Sequence, residues 1–504
     1  MPSIVAAGLV FAASAAVLVL EILAGRLLAP FVGVSLETYT GIIGVVLAGI
    51  SLGTWLGGRA ADHTDPRRLL GPLLITGGAL ALLIVPLISF VAALRPGEGP
   101  AAIVLFSLAG FFLPAAVLSA VGPTVVKLQL RSLDETGRVV GRLSAIGTAG
   151  AIVGTFVTGF VLIAAVPTRP IVTGVGALLV VAGLSVWMTI GRGAGGTSVP
   201  LAALAALMLG AAWSAVSPQP CQVESTYFCI RVEVAGDRPT GRTLFLDTLR
   251  HSYVDLADPR HLEFEYTRIV GDVVAAVAPE GTPIRVLHIG GGGFTLPRYV
   301  AATRPGSSSR VLELDATVVR VDREQLGLVL SPELEVRIGD ARLGIGEEPA
   351  SSYDLVVGDA FGKLAVPWHL TTQEMVREVQ RVLRRPGGIY VVNVIDYPPL
   401  SFGRAEAATL RSVFAHVGHI GRPDPEGRER GGNVMLVASD APLPVAAIDA
   451  LNARRRGMDS VRTGAQLDAF IGEAIILTDD FAPVDQLLTS NLRLIGGESA
   501  TWTR

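Results

Sequence analysis

Charged residues, cysteine and net charge are all scarce in this chain, and each scarcity excludes a class of protein. Only 17% of the 504 residues are charged, whereas soluble domains average roughly 25%. This composition excludes a disordered chain and argues against a purely soluble enzyme. With a net charge of −3, the chain lacks the excess of basic residues that is typical of nucleic-acid-binding proteins. No nucleic-acid partner is therefore expected. Two cysteines give no support for a thiolate metal site.

The charges are divided unevenly along the chain. Residues 1–216 hold 11 basic and 7 acidic residues, a net charge of +4, and they contain nearly all the long apolar runs. Residues 217–504 carry a net charge of −7. We therefore expect a boundary near residue 216, with a membrane half before it and a soluble half after it.

Seven stretches of about 20 mostly apolar residues are long enough to cross a bilayer. The loops after the second, fourth and sixth stretches hold eight Arg and Lys residues, against three in the opposite loops. The positive-inside rule then places the N-terminus inside and, after seven spans, the soluble half outside the cell. The predicted spans are 4–25, 38–58, 69–94, 101–126, 143–166, 170–190 and 198–216.

Two local features bear on the membrane half. Cys221 and Cys229 follow the last span, and they fit either a disulfide, which persists outside the cytosol, or two unrelated thiols. Glu21 lies inside the first span, where an ionisable group is a candidate functional site, and Arg26 is a possible ion-pair partner. The segment GGRAADHTDPRR (Gly57–Arg68) resembles a short basic loop of major-facilitator transporters.

Beyond residue 230 the pattern changes to alternating strands and helices. Two short strands around a Gly/Pro turn predict a hairpin at 230–247, and a helix is predicted over 262–277. The alternation that follows predicts a parallel sheet covered by helices, which is a doubly wound α/β domain. The predicted strands are 285–289, 310–314, 333–338, 353–357 and 389–394, and the predicted helices are 296–304, 316–327, 371–383 and 403–416.

Ligand-binding residues follow four successive strands of this sheet. The first strand runs into four glycines, Gly290–Gly293, and the others lead into Glu313 with Asp315, Asp340, and Asp359. In open α/β sheets ligands bind at the carboxyl ends of the strands, and a carboxylate about 20 residues after such glycines suits ribose hydroxyls. The series therefore predicts a nucleoside site.

Two features that the sequence lacks limit which nucleoside this site could bind. Thr295 stands where the third glycine of a dinucleotide fingerprint belongs, and no phosphate-loop lysine is present. Acidic loops without phosphate-binding groups suit an adenosine that carries no phosphate. We expect S-adenosylmethionine or its decarboxylated form.

Residues 230–400 resemble the spermidine synthases, which are aminopropyltransferases. The pieces that carry the resemblance are RTLFLD, VLHIGGGG, RVLELD, RIGDAR, YDLVVGDAF and RRPGGIYVVNV. The whole chain resembles bacterial membrane proteins that fuse a transporter-like part to a spermidine synthase. This implies a multi-pass α-helical membrane domain (1–216), a small β-hairpin region (217–256) and a Rossmann-like, class I methyltransferase-type domain (257–504), with a homodimer as a further expectation.

The resemblance also assigns roles at the site. Asp359 would be the general base, and His251 and Tyr266 would face the acceptor pocket. No metal and no cofactor are expected, since decarboxylated S-adenosylmethionine would be a co-substrate and an amine the acceptor. The donor-binding residues would be Gly290, Gly291, Gly292, Glu313, Asp315, Asp340 and Ala341.

Three departures from the family concern the acceptor. Gly293 replaces an acid, Ala360-Phe361-Gly362 follows Asp359 without the second acid of the gate loop, and Arg268 falls where it would repel a diamine. A dication would be held less tightly, at roughly 1.5–3 kcal/mol per lost charged hydrogen bond. An S-adenosylmethionine-dependent methyltransferase and a degenerate transporter or sensor module therefore remain alternatives to a membrane-anchored aminopropyltransferase.

Overall fold

The computed structural model describes residues 1–488 apart from 98, 131, 191–197, 237, 363–364 and 423–430, and it leaves the side chains of 198–203 and 206 undescribed. Two compact units divide the chain, Met1–Thr226 and Tyr227–Arg504. We call them the helical unit and the sheet unit. The division follows residue 226, whereas the boundary predicted from composition lies near 216.

Within the described residues, the helical unit has six helical segments that are long and apolar enough to cross a membrane. They coincide with the first six predicted spans. The fourth and fifth are interrupted by π-helical turns at Leu108–Phe112 and Thr158–Leu162. The helices are α1 (Ser3–Val32), α2 (Leu36–His63), α3 (Pro66–Ala93), α4 (Pro100–Ser107), α5 (Leu113–Ser119), α6 (Val121–Gln129), α7 (Thr136–Val157), α8 (Ile163–Ala165), α9 (Thr168–Ile190) and α10 (Ser198–Val216).

The seventh predicted span coincides with α10. Its fully described apolar part, Leu207–Val216, is too short to cross a bilayer alone. The number of crossings, and with it the side of the membrane that the sheet unit occupies, stays a prediction.

Glycine sets the spacing of the helices. A Cβ on Gly150 or Gly154 would meet the backbone of Phe11 or Ala15, so α7 packs directly against α1. Gly53 and Gly57 bring α2 equally close to the fourth segment. Small residues at such positions let helix backbones approach, which is how helices associate in a bilayer.

Arg26 pairs with Glu224 rather than with Glu21, and this corrects the pairing expected from sequence. Its Nη2 lies 2.8 Å from Glu224 Oε1, and its Nε donates to Thr168 Oγ1 at 3.1 Å. Residues five apart on a helix do not share a face, so Arg26 points away from Glu21. The two cysteines, Cys221 and Cys229, are disulfide-bonded, in agreement with the first of the two interpretations.

The sheet unit contains an antiparallel sheet, β2–β4, and an eight-stranded sheet in the order β12-β10-β11-β9-β8-β5-β6-β7. Strands β5 to β9 run parallel, as predicted. The strands, counted from β1 (Val223–Glu224) in the helical unit, are β2 (Cys229–Val234), β3 (Gly241–Leu246), β4 (Leu249–Asp255), β5 (Arg285–Ile289), β6 (Ser308–Glu313), β7 (Leu334–Ile338), β8 (Leu355–Gly358), β9 (Ile389–Asp396), β10 (His416–Gly421), β11 (Gly432–Ser439) and β12 (Ser460–Arg462).

Helices cover both faces of the larger sheet, and the order of the strands is that of a Rossmann-like, methyltransferase-type fold. The chain runs outward from β5 through β6 to β7 and then returns to β8 on the other side of β5. The switch point therefore lies between the ends of β5 and β8. The helices are α11 (Glu265–Ala276), α12 (Thr295–Thr303), α13 (Ala316–Gln325), α14 (Ala341–Gly346), α15 (Gln373–Val382), α16 (Ser401–Arg411), α17 (Val445–Arg454) and α18 (Ala465–Ile471).

Two parts of the sheet unit differ from the sequence-based expectation. The predicted hairpin continues into a third strand, β4, which pairs with β3. The parallel sheet continues into three antiparallel strands, β10 to β12, and the helix predicted over 403–416 ends at Arg411. Both additions lie beyond the regular alternation from which the sheet was predicted.

Candidate functional site

The glycine-rich turn after β5 lies directly against the end of β8. Gly290 has φ +93°, and a Cβ there would meet the carbonyl oxygen of Asp359. Asp359 N in turn donates to Ile289 O at 2.9 Å. Only glycine combines this backbone conformation with this close approach, so the sequence at 290 brings the turn and Asp359 together.

Glu313 at the end of β6 holds the same turn from the other side. Its Oε2 accepts a hydrogen bond from Gly291 N at 2.8 Å, and its Oε1 accepts one from Asp315 N at 2.9 Å. Burial raises the pKa of the Glu313 carboxyl, and these backbone donors oppose the rise. Glu313 thus fixes the turn and lies at the strand end where a ribose would bind.

The next two acids begin helices. Asp315 caps α13 by accepting from Thr317 N at 2.8 Å, and Asp340 caps α14 by accepting from Arg342 N at 2.8 Å. Asp340 Oδ2 also lies 3.4 Å from Nε2 of His369. Ala341 is buried behind this cap. A capping acid satisfies backbone N–H groups at the start of a helix.

Asp359 is held by two side chains that donate to it. Tyr266 Oη donates to Oδ2 at 3.1 Å, and Asn393 Nδ2 donates to Oδ1 at 2.9 Å. Asn433 Nδ2 donates to Asn393 Oδ1 at 3.0 Å, which fixes the orientation of that amide. Burial raises the pKa of Asp359 to about 6, against the effect of the two hydrogen bonds. A carboxyl tuned to this range accepts and returns a proton near neutral pH.

Strand β4, which was not predicted from the sequence, packs against the glycine-rich turn. Ser252 Oγ accepts from Gly293 N at 3.0 Å and lies 3.1 Å from His251 Nδ1. Burial lowers the pKa of His251 to about 4, so its ring is neutral. A Cβ on Gly293 would lie 2.9 Å from that of Ser252. The packing of β4 therefore leaves no space for the acid that the family carries at this position.

The expectation that Arg268 repels a diamine is not supported by its contacts. Its Nε donates to Leu262 O at 2.8 Å, and its Nη2 donates to Glu263 O at 2.8 Å. The guanidinium therefore ties down the chain before α11, and its side chain is exposed. Tyr266, two residues earlier, is the member of this helix that reaches Asp359.

Glu406 was not predicted, and it lines the same cavity as Asp359. The two acids line one small cavity of about 10 Å³ under the segment Val366–Thr371. Glu406 is 1% exposed, and its Oε2 has no hydrogen-bond partner. Burial raises the pKa of its carboxyl. In sequence it resembles an ordinary helical glutamate, so only the packing of α16 on the sheet reveals it.

The loop after Asp359 lies over the same strand ends. Trp368–Leu370 form a short 3₁₀ turn, with Trp368 half exposed and His369 against Asp340. The segment Thr478–Pro483 near the end of the described chain reaches this loop, since Asp479 Oδ1 accepts from Thr372 Oγ1 at 2.6 Å. His288, by contrast, is buried in β5 beside Ser309 and takes no part in the site.

The chain is similar to two known aminopropyltransferases. It is 28% identical over 247 residues to the polyamine aminopropyltransferase of Vibrio vulnificus, which covers 47% of this chain and 79% of that enzyme. It is 31% identical over 217 residues to the polyamine aminopropyltransferase of Aeropyrum pernix, which covers 42% and 65%. This similarity supports the predicted resemblance to the spermidine synthases and confirms the prediction of a transferase.

Comparison with solved structures and with family models gave two further results. The crystal structure of a probable spermidine synthase from Corynebacterium glutamicum matches with 29% identity and a TM-score of 0.48, over 52% of this chain and 96% of that one. No protein-family model matches the chain. The transporter-like part of the resemblance stays a prediction.

Proposed function

We propose that the chain is a membrane-anchored aminopropyltransferase that uses decarboxylated S-adenosylmethionine as donor and an amine as acceptor. The observation that carries the proposal is the position of Asp359. It is a carboxyl with a pKa of about 6 that touches the glycine-rich turn and faces a cavity with a second buried acid. The similarity to two aminopropyltransferases supports the choice of reaction.

The proposed roles follow from the contacts. Gly290, Gly291 and Gly292 let the donor approach the strand ends, with Glu313 at the ribose and Asp340 with Ala341 at the adenine. Asp359 takes a proton from the acceptor ammonium. The neutral amine nitrogen then attacks the carbon beside the sulfonium, a C–N bond forms, and the C–S bond breaks. The sulfur keeps the electron pair, so methylthioadenosine leaves uncharged.

Tyr266 and Asn393 hold Asp359 in line for this step. Each donates one hydrogen bond to a different carboxylate oxygen, and an ionised carboxylate offers about four acceptor positions in total. Acceptor positions therefore remain free for the substrate amine. Positioning of this kind contributes to the rate because the reacting atoms are already oriented.

Glu406 is proposed as the partner of the acceptor's second ammonium. The family's other acceptor acids are missing, and Glu406 is a buried carboxyl whose Oε2 has no hydrogen-bond partner, in the cavity that Asp359 lines. An arriving cation would ionise it and replace the missing charge. The cavity holds about one water, so a diamine enters only when the segment Val366–Thr371 moves outward.

Donor binding to the purified full-length chain tests the reaction class. Calorimetric titration should show tighter binding of decarboxylated S-adenosylmethionine than of S-adenosylmethionine, and Glu313→Ala should abolish it. Glu335→Ala is the control, because Glu335 lies on β7 in an exposed pair with Arg310. If neither donor binds, an enzymatic role for this site is refuted.

Acceptor selectivity tests Glu406. In a methylthioadenosine-release assay, Glu406→Gln should raise KM for a diamine about tenfold or more, the effect of one charged hydrogen bond. KM for a monoamine of the same length should stay unchanged. Equal effects on both amines would contradict the assignment.

A methyltransferase is the second candidate, and Gly293 favours it. The acid that the family carries there would repel the carboxylate of S-adenosylmethionine, and in this chain it is absent. Preference for S-adenosylmethionine in the same titration, with transfer of a methyl group to an acceptor, would replace the first proposal.

A further inference from the structure

A second cavity, remote in sequence from the residues of the nucleoside site, lies inside the helical unit. Its volume is about 650 Å³, which falls within the roughly 300–1,000 Å³ of ligand-binding sites. Residues of α1, α2, α5 to α6 and α7 line it. None of the residues discussed above for donor or acceptor binding belongs to it.

The cavity lies between two tightly packed pairs of segments. Gly150 and Gly154 hold α7 against α1, and Gly53 and Gly57 hold α2 against the fourth segment. Within each pair, the glycines allow the two helices to touch. Between the two pairs no such contact closes the space, and the cavity lies there. The cavity is therefore built into the spacing of the helices.

Its walls are apolar with a few hydroxyl groups, and one end is charged. Lys127 Nζ lies 2.6 Å from Asp62 Oδ1, and both residues line the cavity. Their side chains are 50% and 61% exposed, so the pair contributes little to stability and opens easily. The hydroxyl groups along the walls belong to Ser14, Thr54, Ser119, Ser144 and Thr148.

The cavity occupies one end of the helical unit. It is lined mainly by the first half of α1 and of the fifth segment, and by the last half of α2 and of the fourth segment. Successive spans alternate in direction, so these four halves lie in one leaflet of a bilayer. That leaflet is the one bordered by the loops richer in Arg and Lys.

We infer that this cavity binds a membrane lipid whose head group is zwitterionic, with an amine and a phosphate. The acyl chains would lie along the apolar wall and the hydroxyl groups, and the head group would replace the Asp62–Lys127 contact. Asp62 would then accept from the amine, and Lys127 would donate to the phosphate. A purely anionic lipid would leave Asp62 beside a negative phosphate, and an uncharged lipid would leave both residues without a new partner.

Photolabelling of the full-length chain in nanodiscs tests this inference. Trace diazirine-tagged phosphatidylethanolamine should label peptides of α1, α2 and α7. Unlabelled phosphatidylethanolamine should compete about tenfold better than phosphatidylglycerol or diacylglycerol, the effect of one charge-assisted hydrogen bond. Free phosphoethanolamine should not compete, because it lacks the chains. Competition by phosphoethanolamine alone, or equal competition by all three lipids, would overturn the inference.

Two variants separate the cavity from nonspecific lipid contact. Thr148→Phe fills the cavity and should remove the labelling, whereas Val153→Phe on the same helix, at an exposed position outside the lining, should not. The double variant Asp62→Asn, Lys127→Gln should keep the labelling but lose the preference for phosphatidylethanolamine, and it carries the test if Thr148→Phe does not fold. Labelling that survives Thr148→Phe, or a preference for phosphatidylethanolamine that survives the double variant, would refute a built site. Donor binding is measured separately, so these outcomes do not depend on the proposed enzymatic function.

Discussion

Glycine allows close backbone contacts in both units of this chain, but between different kinds of element. In the helical unit, Gly150 removes a side chain so that α7 and α1 can touch. In the sheet unit, Gly290 removes a side chain at φ +93° so that the turn after β5 can pass Asp359. A Cβ at either residue would meet a carbonyl oxygen. The comparison shows that glycine lets two helices touch in one unit and lets the turn after β5 pass Asp359 in the other.

The two units also differ in the surroundings of their acidic side chains. In the helical unit, Asp62 and Glu224 each meet a cation, Lys127 and Arg26 respectively. In the sheet unit, Glu313 and Glu406 are buried, and burial raises the pKa of both. Carboxyls desolvated in this way are typical of binding and catalytic sites. We therefore expect the catalytic chemistry in the sheet unit, whereas Asp62 and Glu224 of the helical unit are paired with cations.

The largest effect is expected from removal of the proposed base. Asp359→Asn keeps the shape of the side chain but cannot take a proton, so kcat/KM for aminopropyl transfer should fall about 10²- to 10⁴-fold. Binding of the decarboxylated donor, measured by calorimetry, should change little. Full activity in this variant would refute the assignment of Asp359 as the general base.

Paired glycine variants test the comparison directly. Gly290→Ala forces an alanine into a left-handed conformation against Asp359, and it should abolish donor binding and cost about 1–3 kcal/mol of stability. Gly150→Ala should lower the thermal stability by a similar overpacking cost, about 1–3 kcal/mol, and leave donor affinity intact.

Gly346→Ala and Gly8→Ala are the matched controls in the two units, because a Cβ at either position has no neighbour within 4 Å. Both controls should match the unmodified chain in thermal melting and donor titration. Loss of donor binding in Gly150→Ala would contradict the separate roles of the two glycines.

Much of the sheet unit was predictable because buried parallel strands are short apolar runs and their ends carry glycine or acid. The five parallel strands and the acids Glu313, Asp340 and Asp359 follow from that pattern. Strand β10 was missed because His416, Gly418 and His419 interrupt its apolar alternation. It is held in the sheet by pairing with β11, which is tertiary context that a local pattern does not contain.

The site itself was predictable in chain order but not in its contacts. Glu406 belongs to a helix whose sequence mixes charged and small residues, and its burial depends on how α16 packs.

In the helical unit, Arg26 has an acid five residues away in sequence, yet its partner Glu224 is 198 residues away. Long-range partners of this kind follow from packing, so sequence spacing alone misassigned Arg26.

The pH dependence sharpens the role of Asp359. Its folded pKa of about 6 lies above the ordinary value of 3.8, so the protonated form stabilises the empty site at low pH, and this stabilisation is lost as the pH rises through about 6. Activity needs the ionised form, so kcat/KM should rise with pH through about 6. Tyr266→Phe removes a hydrogen bond to the carboxylate and should move this limb to higher pH. A limb that stays in place would show that Tyr266 does not act through Asp359.

The smallest effects are expected on stability, from breaking either of the two ion pairs of the helical unit. The Arg26 and Glu224 side chains are 17% and 19% exposed, so Glu224→Gln should leave a partly buried guanidinium short of its partner and cost about 1–3 kcal/mol in the thermal unfolding of the full chain. Asp62→Asn removes an exposed pair and should cost less than about 1 kcal/mol. Equal losses from the two variants would mean that the Asp62–Lys127 pair holds the helices together, and the cavity end that it borders would then be structural.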